Sequence, residues 1–288
     1  MTKAAFIGLG VMGYPMAGHL AAAGCDTTVF NRTTAKADQW VKQHGNSRAL
    51  TPRDACTDKD FAFICVGNDD DLRSVIYGGD GVLAGLSEGC TLIDHTTASA
   101  EVAREISAEA TKRGIHFIDA PVSGGQAGAE NGNLTIMCGG DENAFEAAES
   151  IMKIYGQRVM LMGPTGSGQL TKMVNQICFA GLLQSLAEGI NFAQRAGLDT
   201  EKVFNVLSKG AAQSWQMENR AATMSAGEFD FGFAVDLMRK DLSICMAEAQ
   251  NNGSALPVTA LVDQFYQQVQ MKGGNRFDTS SLILNLRE

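Results

Sequence analysis

A strand–turn–helix pattern around a G-x-G-x-x-G motif at the start of the chain constrains the fold more than any other sequence feature. The motif lies between an apolar, strand-like run (KAAFIG) and a helix-like run (YPMAGHLAAAG), and it comprises Gly8, Leu9, Gly10, Val11, Met12 and Gly13. In such a motif the first glycine permits a tight turn, the second admits a pyrophosphate, and the third lets the helix pack on the strand. The free N–H groups at the start of the helix attract phosphates. We therefore predict a dinucleotide-binding unit, in preference to a purely structural glycine turn.

The same stretch, residues 6–24, lacks Asp, Glu, Lys and Arg, so a secretory signal and a membrane anchor must be weighed. A signal would use Lys3 as its basic region and LAAAG as its cleavage site. Pro15 and the motif glycines interrupt the apolar core that a signal needs, and a membrane span needs about 20 apolar residues. The seven cysteines form no C-x-x-C pair, which is typical of a reducing compartment. We expect a cytoplasmic protein.

The end of the second predicted strand (DTTVFNRT) indicates which dinucleotide binds. An NAD-binding strand normally ends in an Asp or Glu that bonds the ribose 2′-hydroxyl, and here the strand ends in Asn31, Arg32 and Thr33. Asn31 and Thr33 can donate hydrogen bonds, and the Arg32 guanidinium can bind a 2′-phosphate. The sequence therefore predicts a preference for NADP(H) over NAD(H). The alternative is that Arg32 is a solvated surface cation.

Apolar, strand-like runs alternate with helical patterns through the first half of the chain, which predicts a doubly wound parallel sheet. These runs are residues 61–67, 91–96, 115–120, 134–140 and 158–163. Helical periodicity then takes over, and residues 169–196 are apolar on nearly every face, so we expect this helix to be buried between domains and between subunits. We predict an N-terminal Rossmann-type α/β domain at residues 1–163, followed by an all-α C-terminal domain at residues 164–288.

The charge pattern bears on the partners. The net charge is −9 and there is no block of consecutive basic residues, which argues against nucleic acid or an anionic membrane as the main partner. The cysteines and histidines do not have the spacing of zinc ligands, so no metal site is expected. A small molecule remains the expected partner.

Two stretches could carry chemistry. Ser123, Gly124 and Gly125 follow the end of a predicted strand, where ligands of such sheets bind. Their backbone N–H groups suit a carboxylate, although a plain glycine-rich loop fits the composition equally well. Lys172 and Asn175 share one helix face with Gln176. A lysine in an apolar helix is costly unless it is paired or its pKa falls, and the alternative is a lysine reaching out to solvent from the start of the helix.

Four motifs, in order and at matching separations, carry a resemblance that covers nearly the whole chain: GLGVMGYPMAGHL (8–20), DAPVSGG with GAENGNL (119–134), GQLTKMVNQ (168–176) and FDFGFAVDLMRKDL (229–242). The sequence resembles the β-hydroxyacid dehydrogenases, which include 3-hydroxyisobutyrate dehydrogenase, tartronate semialdehyde reductase and the glyoxylate/succinic semialdehyde reductases. The strand end at residues 31–33 is most similar to the NADPH-using semialdehyde reductases among them.

The resemblance implies a role for individual residues. Lys172 matches the catalytic lysine, Asn175 matches the amide beside it, and both would also contact substrate. Residues 123–125 match the loop that binds the substrate carboxylate. Thr96 matches a hydroxyl residue that contacts the cofactor, and Lys240 matches a lysine that reaches the cofactor side of the cleft.

One departure concerns CVGND (65–69), where many members have Met-Leu-Pro; Val66 of this segment is still expected to line the cofactor. The resemblance implies NADPH-dependent reduction of a short semialdehyde or 2-oxo acid, with Lys172 as the general acid. Alternatives are an NAD-dependent 3-hydroxyisobutyrate or serine dehydrogenase and a non-catalytic dinucleotide-binding protein. Imine reductases share the architecture but usually lack this lysine. The apolar long helix predicts a homodimer or homotetramer.

Overall fold

The structure is a computed structural model that describes residues 1–287. The chain forms two compact units, Met1–Lys172 and Met173–Glu288. The boundary between them lies inside a long helix, whereas the sequence predicts a domain boundary at the end of a strand, between residues 163 and 164. That domain boundary stays a prediction.

The first unit is built on a nine-stranded sheet in the order β3-β2-β1-β4-β5-β6-β8-β7, with β9 paired to β8. Its strands are β1 (Lys3–Ile7), β2 (Asp26–Phe30), β3 (Ser47–Arg48), β4 (Phe61–Ile64), β5 (Thr91–Asp94), β6 (His116–Asp119), β7 (Val122–Ser123), β8 (Leu134–Gly140) and β9 (Gly156–Gly163). The run β3-β2-β1-β4-β5-β6 is parallel throughout. Its order reverses between β1 and β4, and ligands of doubly wound sheets bind at that switch point.

Helices cover both faces of this sheet, which confirms the predicted Rossmann-type fold. They are α1 (Gly13–Ala22), α2 (Thr34–His44), α3 (Pro52–Cys56), α4 (Asp69–Ile76), α5 (Val82–Gly85), α6 (Ala100–Thr111), α7 (Gly125–Glu130) and α8 (Glu142–Met152). One hydrophobic cluster joins the sheet to α1, α2, α7 and α8, and a second joins it to α3, α4, α5 and α6. The inner strands β1 (KAAFI) and β4 (FAFI) are almost entirely apolar because both of their faces are buried.

The alternation of side chains along the strands explains the two clusters. Phe6 of β1 pairs in register with Phe63 of β4, and both lie in the first cluster. Their successors Ile7 and Ile64 are also paired, and both lie in the second cluster. Successive strand residues point to opposite faces, so this short apolar strand supplies both cores.

One part of the sheet differs from the parallel arrangement that the sequence predicts. Strand β8 runs antiparallel to both β6 and β7, while β9 returns parallel to β8. Only the short β7–α7 segment connects β6 to β8, and it does not carry a full crossover helix over the sheet.

The second unit is helical. A long helix, α9 (Ser167–Arg195), leads into it and is followed by α10 (Thr200–Leu207), α11 (Trp215–Ala226), α12 (Val235–Asn252), α13 (Pro257–Met271) and a 3-10 helix (Thr279–Asn285). Gly197 has a φ of +72°, as expected just after a helix end. Asp199 caps α10 by accepting a hydrogen bond from the Lys202 N–H.

One face of α9 is exposed in the single chain, although the sequence predicts burial on nearly every face. Val174 is 60% exposed and Phe192 is 72% exposed, and Cys178 and Leu182 are exposed between them. These four positions fall on one side of a helix with 3.6 residues per turn. The opposite side of the helix, with Leu183, lies in the core of the second unit.

Candidate functional site

The glycines of the N-terminal motif have separable structural roles. Gly8 has a φ of +98°, and a Cβ on it would lie 2.2 Å from the Cys65 carbonyl oxygen. A Cβ on Gly13 would lie 2.0 Å from the Gly8 carbonyl oxygen, so the start of α1 can approach β1 only if this residue is glycine. A Cβ on Gly10 would meet no protein atom within 4 Å. The fold therefore needs the first and third glycines, whereas the second one borders open space beside the turn.

Binding of a pyrophosphate in that space stays a prediction, and two features of the turn agree with it. The space adjoins the start of α1, whose first turn contains no acidic residue to compete for the helix N–H groups. Leu9 is buried, whereas Val11 is largely exposed and Met12 is half-buried. The motif thus has the shape and the polarity that a phosphate-binding loop requires.

Asn31 fastens this loop to the end of β2. Its Oδ1 accepts a 2.9 Å hydrogen bond from the Leu9 N–H, and its Nδ2 donates to the Thr33 carbonyl oxygen at 3.0 Å. The Gly8 N–H also donates to the Phe30 carbonyl oxygen. The sequence predicts that Asn31 contacts the cofactor. In the structure its side chain connects the loop to the end of β2, and contacts of Asn31 and Thr33 with a cofactor stay predictions.

Arg32 is exposed, but it is more than a solvated cation. Its Nη1 lies 3.2 Å from Oδ1 of Asp71, a residue in the first turn of α4. The Arg32 side chain is 86% exposed and the Asp71 side chain is 30% exposed. The cation proposed for the 2′-phosphate therefore already has an acidic partner, which the sequence analysis did not foresee.

A hydrogen-bonded group joins the ends of β4 and β5. The Val66 N–H donates to Thr96 Oγ1 at 3.0 Å, and the Thr96 N–H donates to Asp94 Oδ1 at 2.9 Å. The Thr96 hydroxyl also bonds the Asp94 carboxylate. These bonds hold Thr96 and Val66 together at the switch-point edge of the sheet. Contacts of either residue with a cofactor stay predictions.

Asp94 is fully buried, and its surroundings perturb its ionisation. Desolvation raises its pKa to about 7, against the opposing effect of the two Thr96 hydrogen bonds, and the nearby carboxylates of Asp119 and Asp69 raise it further. The carboxyl group that is hydrogen-bonded to Thr96 therefore has a pKa near neutrality.

Asp119 and Gln169 fix the start of α9, and sequence reasoning gave neither a role. Asp119, at the end of β6, accepts hydrogen bonds from the Gly166 N–H at 2.7 Å and the Gln169 N–H at 2.9 Å. Burial raises the Asp119 pKa to about 6, although these N–H donors oppose the shift. The Gln169 side chain accepts from the Ala98 N–H at 3.0 Å and donates to the Thr96 carbonyl oxygen at 2.7 Å.

The only sequence signal for this arrangement was that both residues lie in the DAPVSGG and GQLTKMVNQ motifs. Spacing along the chain does not reveal pairs that are 50 and 73 residues apart. Together, the two residues place the first turn of α9 at the carboxyl ends of β5 and β6.

The loop after β7 has the backbone conformation that its glycines permit. Gly124 and Gly125 have φ values of +131° and +62°, and a Cβ on Gly125 would meet no protein atom within 4 Å. Ser123 ends β7, where it pairs with Thr135 of β8. These features fit an open loop with accessible backbone N–H groups. Its carboxylate-binding role stays a prediction.

Lys172 lies in α9 one turn after Gln169 and is only 8% exposed. The alternative of a lysine reaching out to solvent from the helix start is therefore wrong. A buried ammonium group is costly unless it has polar or charged partners. The catalytic role of Lys172 stays a prediction.

A buried polar network surrounds the next site residues, within the second unit. Asn175 Nδ2 donates to Gln176 Oε1 at 2.7 Å, and Gln176 Nε2 donates to Asp241 Oδ2 at 2.6 Å. Lys240 Nζ lies 2.9 Å from Asp241 Oδ1. Gln176 and Asp241 are almost completely buried, so this network fixes the orientation of the Asn175 amide and holds Lys240 beside a carboxylate.

Within residues 1–287, no group of three or more His, Cys, Asp or Glu side chains could hold a metal ion. Also in that range, no helix combines the length and apolarity needed to cross a membrane.

Both halves of the chain match known protein families. Residues 3–163 match the NAD binding domain of 6-phosphogluconate dehydrogenase, and residues 166–286 match the family described as NAD-binding of NADP-dependent 3-hydroxyisobutyrate dehydrogenase. The chain therefore contains an NAD(P)-binding domain.

Individual proteins are similar over essentially the full length. An uncharacterized oxidoreductase of Shewanella frigidimarina is 61% identical, covering 100% of this chain and 99% of that protein. The 2-hydroxy-3-oxopropionate reductase of Escherichia coli is 33% identical, covering 98% and 96%. The structure of Mycobacterium tuberculosis 3-hydroxyisobutyrate dehydrogenase with L-serine superposes with a TM-score of 0.90 at 28% identity, covering 100% of both chains. From its sequence motifs, its fold and these matches, the chain belongs to the β-hydroxyacid dehydrogenase family.

Proposed function

We propose that this protein is an NADPH-dependent reductase of short, carboxylate-bearing aldehydes or 2-oxo acids, such as glyoxylate or succinic semialdehyde. The observation that carries the proposal is the placement of Lys172. This buried lysine lies one helical turn after Gln169, whose side chain bonds the backbone of Thr96 beside the switch point of the sheet. On this proposal, Lys172 exchanges a proton with a substrate bound next to the dinucleotide.

The cofactor preference rests on the end of β2. The chain does not have an Asp or Glu at residues 31–33, where an NAD-binding strand normally ends in one, and Arg32 offers a planar, charge-assisted partner for a 2′-phosphate. Open space beside Gly10 and an α1 first turn free of acidic residues support pyrophosphate binding. We propose further cofactor contacts for Asn31, Thr33, Val66, Thr96 and Lys240.

The chemistry of the chain follows from Lys172. Bound NADPH would supply a hydride to the substrate carbonyl carbon. As negative charge develops on the carbonyl oxygen, the Lys172 ammonium stabilises it and donates a proton to that oxygen. In the reverse direction the neutral Lys172 amine accepts the hydroxyl proton. The Asn175 amide, which is oriented by its hydrogen bond to Gln176, positions Lys172 or the substrate for this proton transfer.

We assign the substrate carboxylate to the loop at Ser123, Gly124 and Gly125. Backbone N–H groups in a glycine-rich loop bind carboxylates well, and a fixed carboxylate positions the carbonyl for reaction. Two relatives support this substrate class by name. The Escherichia coli protein is named for 2-hydroxy-3-oxopropionate, and the Mycobacterium tuberculosis structure contains L-serine. Both of those molecules carry a carboxylate.

A second candidate is NAD-dependent oxidation of 3-hydroxyisobutyrate or serine. It is favoured by the ion pair between Arg32 and Asp71, because the guanidinium proposed to bind the 2′-phosphate is already paired with a carboxylate. A non-catalytic binding protein is the weaker alternative, because Lys172 is retained in its full motif and is buried.

We also propose a cytoplasmic homo-oligomer, a dimer or a tetramer. The exposed apolar stripe of α9, with Val174, Leu182 and Phe192, is the kind of surface that marks a protein interface. All seven cysteines are free thiols, which suits a reducing compartment.

The test is to mix the purified protein with NADPH, and separately with NADH, and to follow cofactor absorbance after adding glyoxylate, succinic semialdehyde or methylmalonate semialdehyde. The proposal expects fast loss of NADPH absorbance with one of these aldehydes and little loss with NADH. Preference for NADH would favour the dehydrogenase candidate. If absorbance does not change with any of these substrates, in protein that still binds cofactor, the result would contradict the reductase activity for this panel.

A further inference from the structure

The ion pair between Arg32 and Asp71 joins two elements that flank the switch point of the sheet. Arg32 follows β2, and Asp71 lies in the first turn of α4, 39 residues later in the sequence. We propose that Asp71 sets the cofactor selectivity of this protein by competing with the 2′-phosphate of NADPH for Arg32. This inference rests on the proposed function, because it assigns a further residue to the same cofactor site.

Asp71 is one of three consecutive acidic residues, and the structure separates their roles. The Asp69 carboxylate accepts hydrogen bonds from the backbone N–H and the hydroxyl of Ser99. The Asp70 side chain is 97% exposed, with its nearest cation, Arg73, at 3.8 Å. Asp71 is the member of the three whose carboxylate is directed to Arg32.

The carboxylate of Asp71 is not needed to cap α4. Asn68 caps this helix, since its Oδ1 accepts a 2.8 Å hydrogen bond from the Asp71 backbone N–H. Asparagine at position 71 would keep that N–H donor. The Asp71 side chain can therefore be changed without removing the cap, and its charge is available for another role.

Gly67 makes room for this carboxylate. Its φ is not positive, so the backbone conformation does not require glycine there. A Cβ on Gly67 would lie 2.5 Å from Asp71 Oδ2. Gly67 directly follows Val66, which is tied to Thr96 at the end of β5. The Asp71 carboxylate thus lies against the loop after β4, on the switch-point side where a dinucleotide binds.

This position predicts different consequences for the two cofactors. An exposed ion pair is weak, and a doubly charged phosphate is a stronger, bidentate partner for a guanidinium. NADPH must separate Arg32 from Asp71 and place its phosphate near the released carboxylate. NADH carries a neutral 2′-hydroxyl and does not have to break the pair. Asp71 therefore weakens NADPH binding selectively and moderates a preference that Arg32 alone would make stronger.

The experiment compares Asp71→Asn with Asp70→Asn, which removes the same charge from the same helix turn but away from Arg32. Dissociation constants for NADPH and NADH are measured by fluorescence titration at low salt, without substrate. We expect Asp71→Asn to lower the NADPH dissociation constant by about fivefold or more and the NADH constant by less than about twofold, as the loss of one exposed ion pair and one repulsion implies. Asp70→Asn should change both constants by less than about twofold.

Equal changes for both cofactors in Asp71→Asn, or equal effects of the two variants, would overturn the proposal. A thermal melt establishes that each variant is folded. Because binding is measured without turnover, the experiment distinguishes failure of the proposed function from failure of the proposed role of Asp71. Binding of neither cofactor to the wild-type protein would refute the proposed function. Binding with unchanged selectivity in Asp71→Asn would refute the role of Asp71 alone.

A second pair of variants tests whether Asp71 acts through Arg32. In an Arg32→Ala background, Asp71→Asn should give less than half of the gain in NADPH affinity that it gives in the wild type, because the competition for the guanidinium is absent. A full gain in that background would mean that the carboxylate repels the phosphate directly, and it would overturn the competition mechanism.

Discussion

The side-chain amide of Gln169 donates a 2.7 Å hydrogen bond to the backbone carbonyl oxygen of Thr96, 73 residues earlier in the sequence. The same side chain accepts the Ala98 N–H. One buried side chain therefore satisfies two backbone groups after β5 and fixes the helix turn that precedes Lys172. A lysine that must meet a substrate oxygen in a set geometry depends on such an anchor.

Replacing Gln169 with alanine should impair catalysis more than cofactor binding. The change leaves a buried N–H and a buried carbonyl without partners, which should lower the free energy of unfolding by about 1–3 kcal/mol. We expect kcat to fall about tenfold or more through misplacement of Lys172, with the NADPH dissociation constant changed much less. Steady-state kinetics and titration of the folded variant measure both quantities.

Gln184→Ala is the matched control, since Gln184 is a buried glutamine of the same helix whose side-chain amide donates to Glu188, one turn later. That variant should keep its kcat. If Gln169→Ala loses activity only in proportion to its unfolded fraction, the residue has a structural role alone.

Gly10→Ala should be folded but should bind dinucleotide poorly. A Cβ at this position meets no protein atom within 4 Å, so stability should change by less than about 1 kcal/mol. The methyl group would occupy the space assigned to the pyrophosphate, so the NADPH dissociation constant should rise about tenfold or more. Gly79, which is also unobstructed, provides a control as Gly79→Ala. Unchanged NADPH binding in Gly10→Ala would remove the glycine loop from the cofactor site.

Asp94 should make stability fall as pH rises through neutrality. Its pKa is raised from 3.8 to about 7 in the folded protein, so the native state keeps a proton that the unfolded chain has already lost. This stabilisation is complete below about pH 3.8, is lost progressively as pH rises from the unfolded pKa to the folded pKa, and is gone above about pH 7. The window from about pH 6.5 to 8.5 contains the end of this decline, over which we expect the free energy of unfolding to fall by about 1 kcal/mol through this group and then to level off.

Asp94→Asn cannot ionise and should show a flatter profile over the same range, which denaturant titrations at several pH values will measure. His95, whose pKa is lowered to about 4, and Asp119, with its pKa at about 6, titrate mainly below this window. An equally steep decline in Asp94→Asn would assign the effect to another group.

Local patterns in the sequence predicted much of the fold. The G-x-G-x-x-G turn, strand β8 at residues 134–140 and the stop of α9 near Gly197 are found as expected. Each depends on glycine conformation or on hydrophobic periodicity over a few neighbouring residues, which the sequence displays directly. The antiparallel direction of β8 was not foreseen, because pairing direction depends on how a connection crosses the sheet.

The sequence predicted which residues belong to the candidate site, but it did not predict the contacts that hold them in place. Motifs singled out Lys172 and Arg32, yet neither the anchor at Gln169 nor the partner at Asp71 was assigned. Both contacts join residues that are distant in sequence. Whether a charged side chain is buried or paired with an opposite charge depends on the folded structure and cannot be read from local sequence patterns. The roles of the site residues in binding and catalysis stay predictions.

The most direct test of the central claim is the turnover of Lys172→Ala with NADPH and the best aldehyde of the panel, measured beside its NADPH dissociation constant. Lys153→Ala, which removes an exposed lysine, serves as the control. We predict that kcat of Lys172→Ala falls by about 100-fold or more, as expected for loss of a general acid, while NADPH still binds. Near-normal turnover in folded Lys172→Ala would contradict the account.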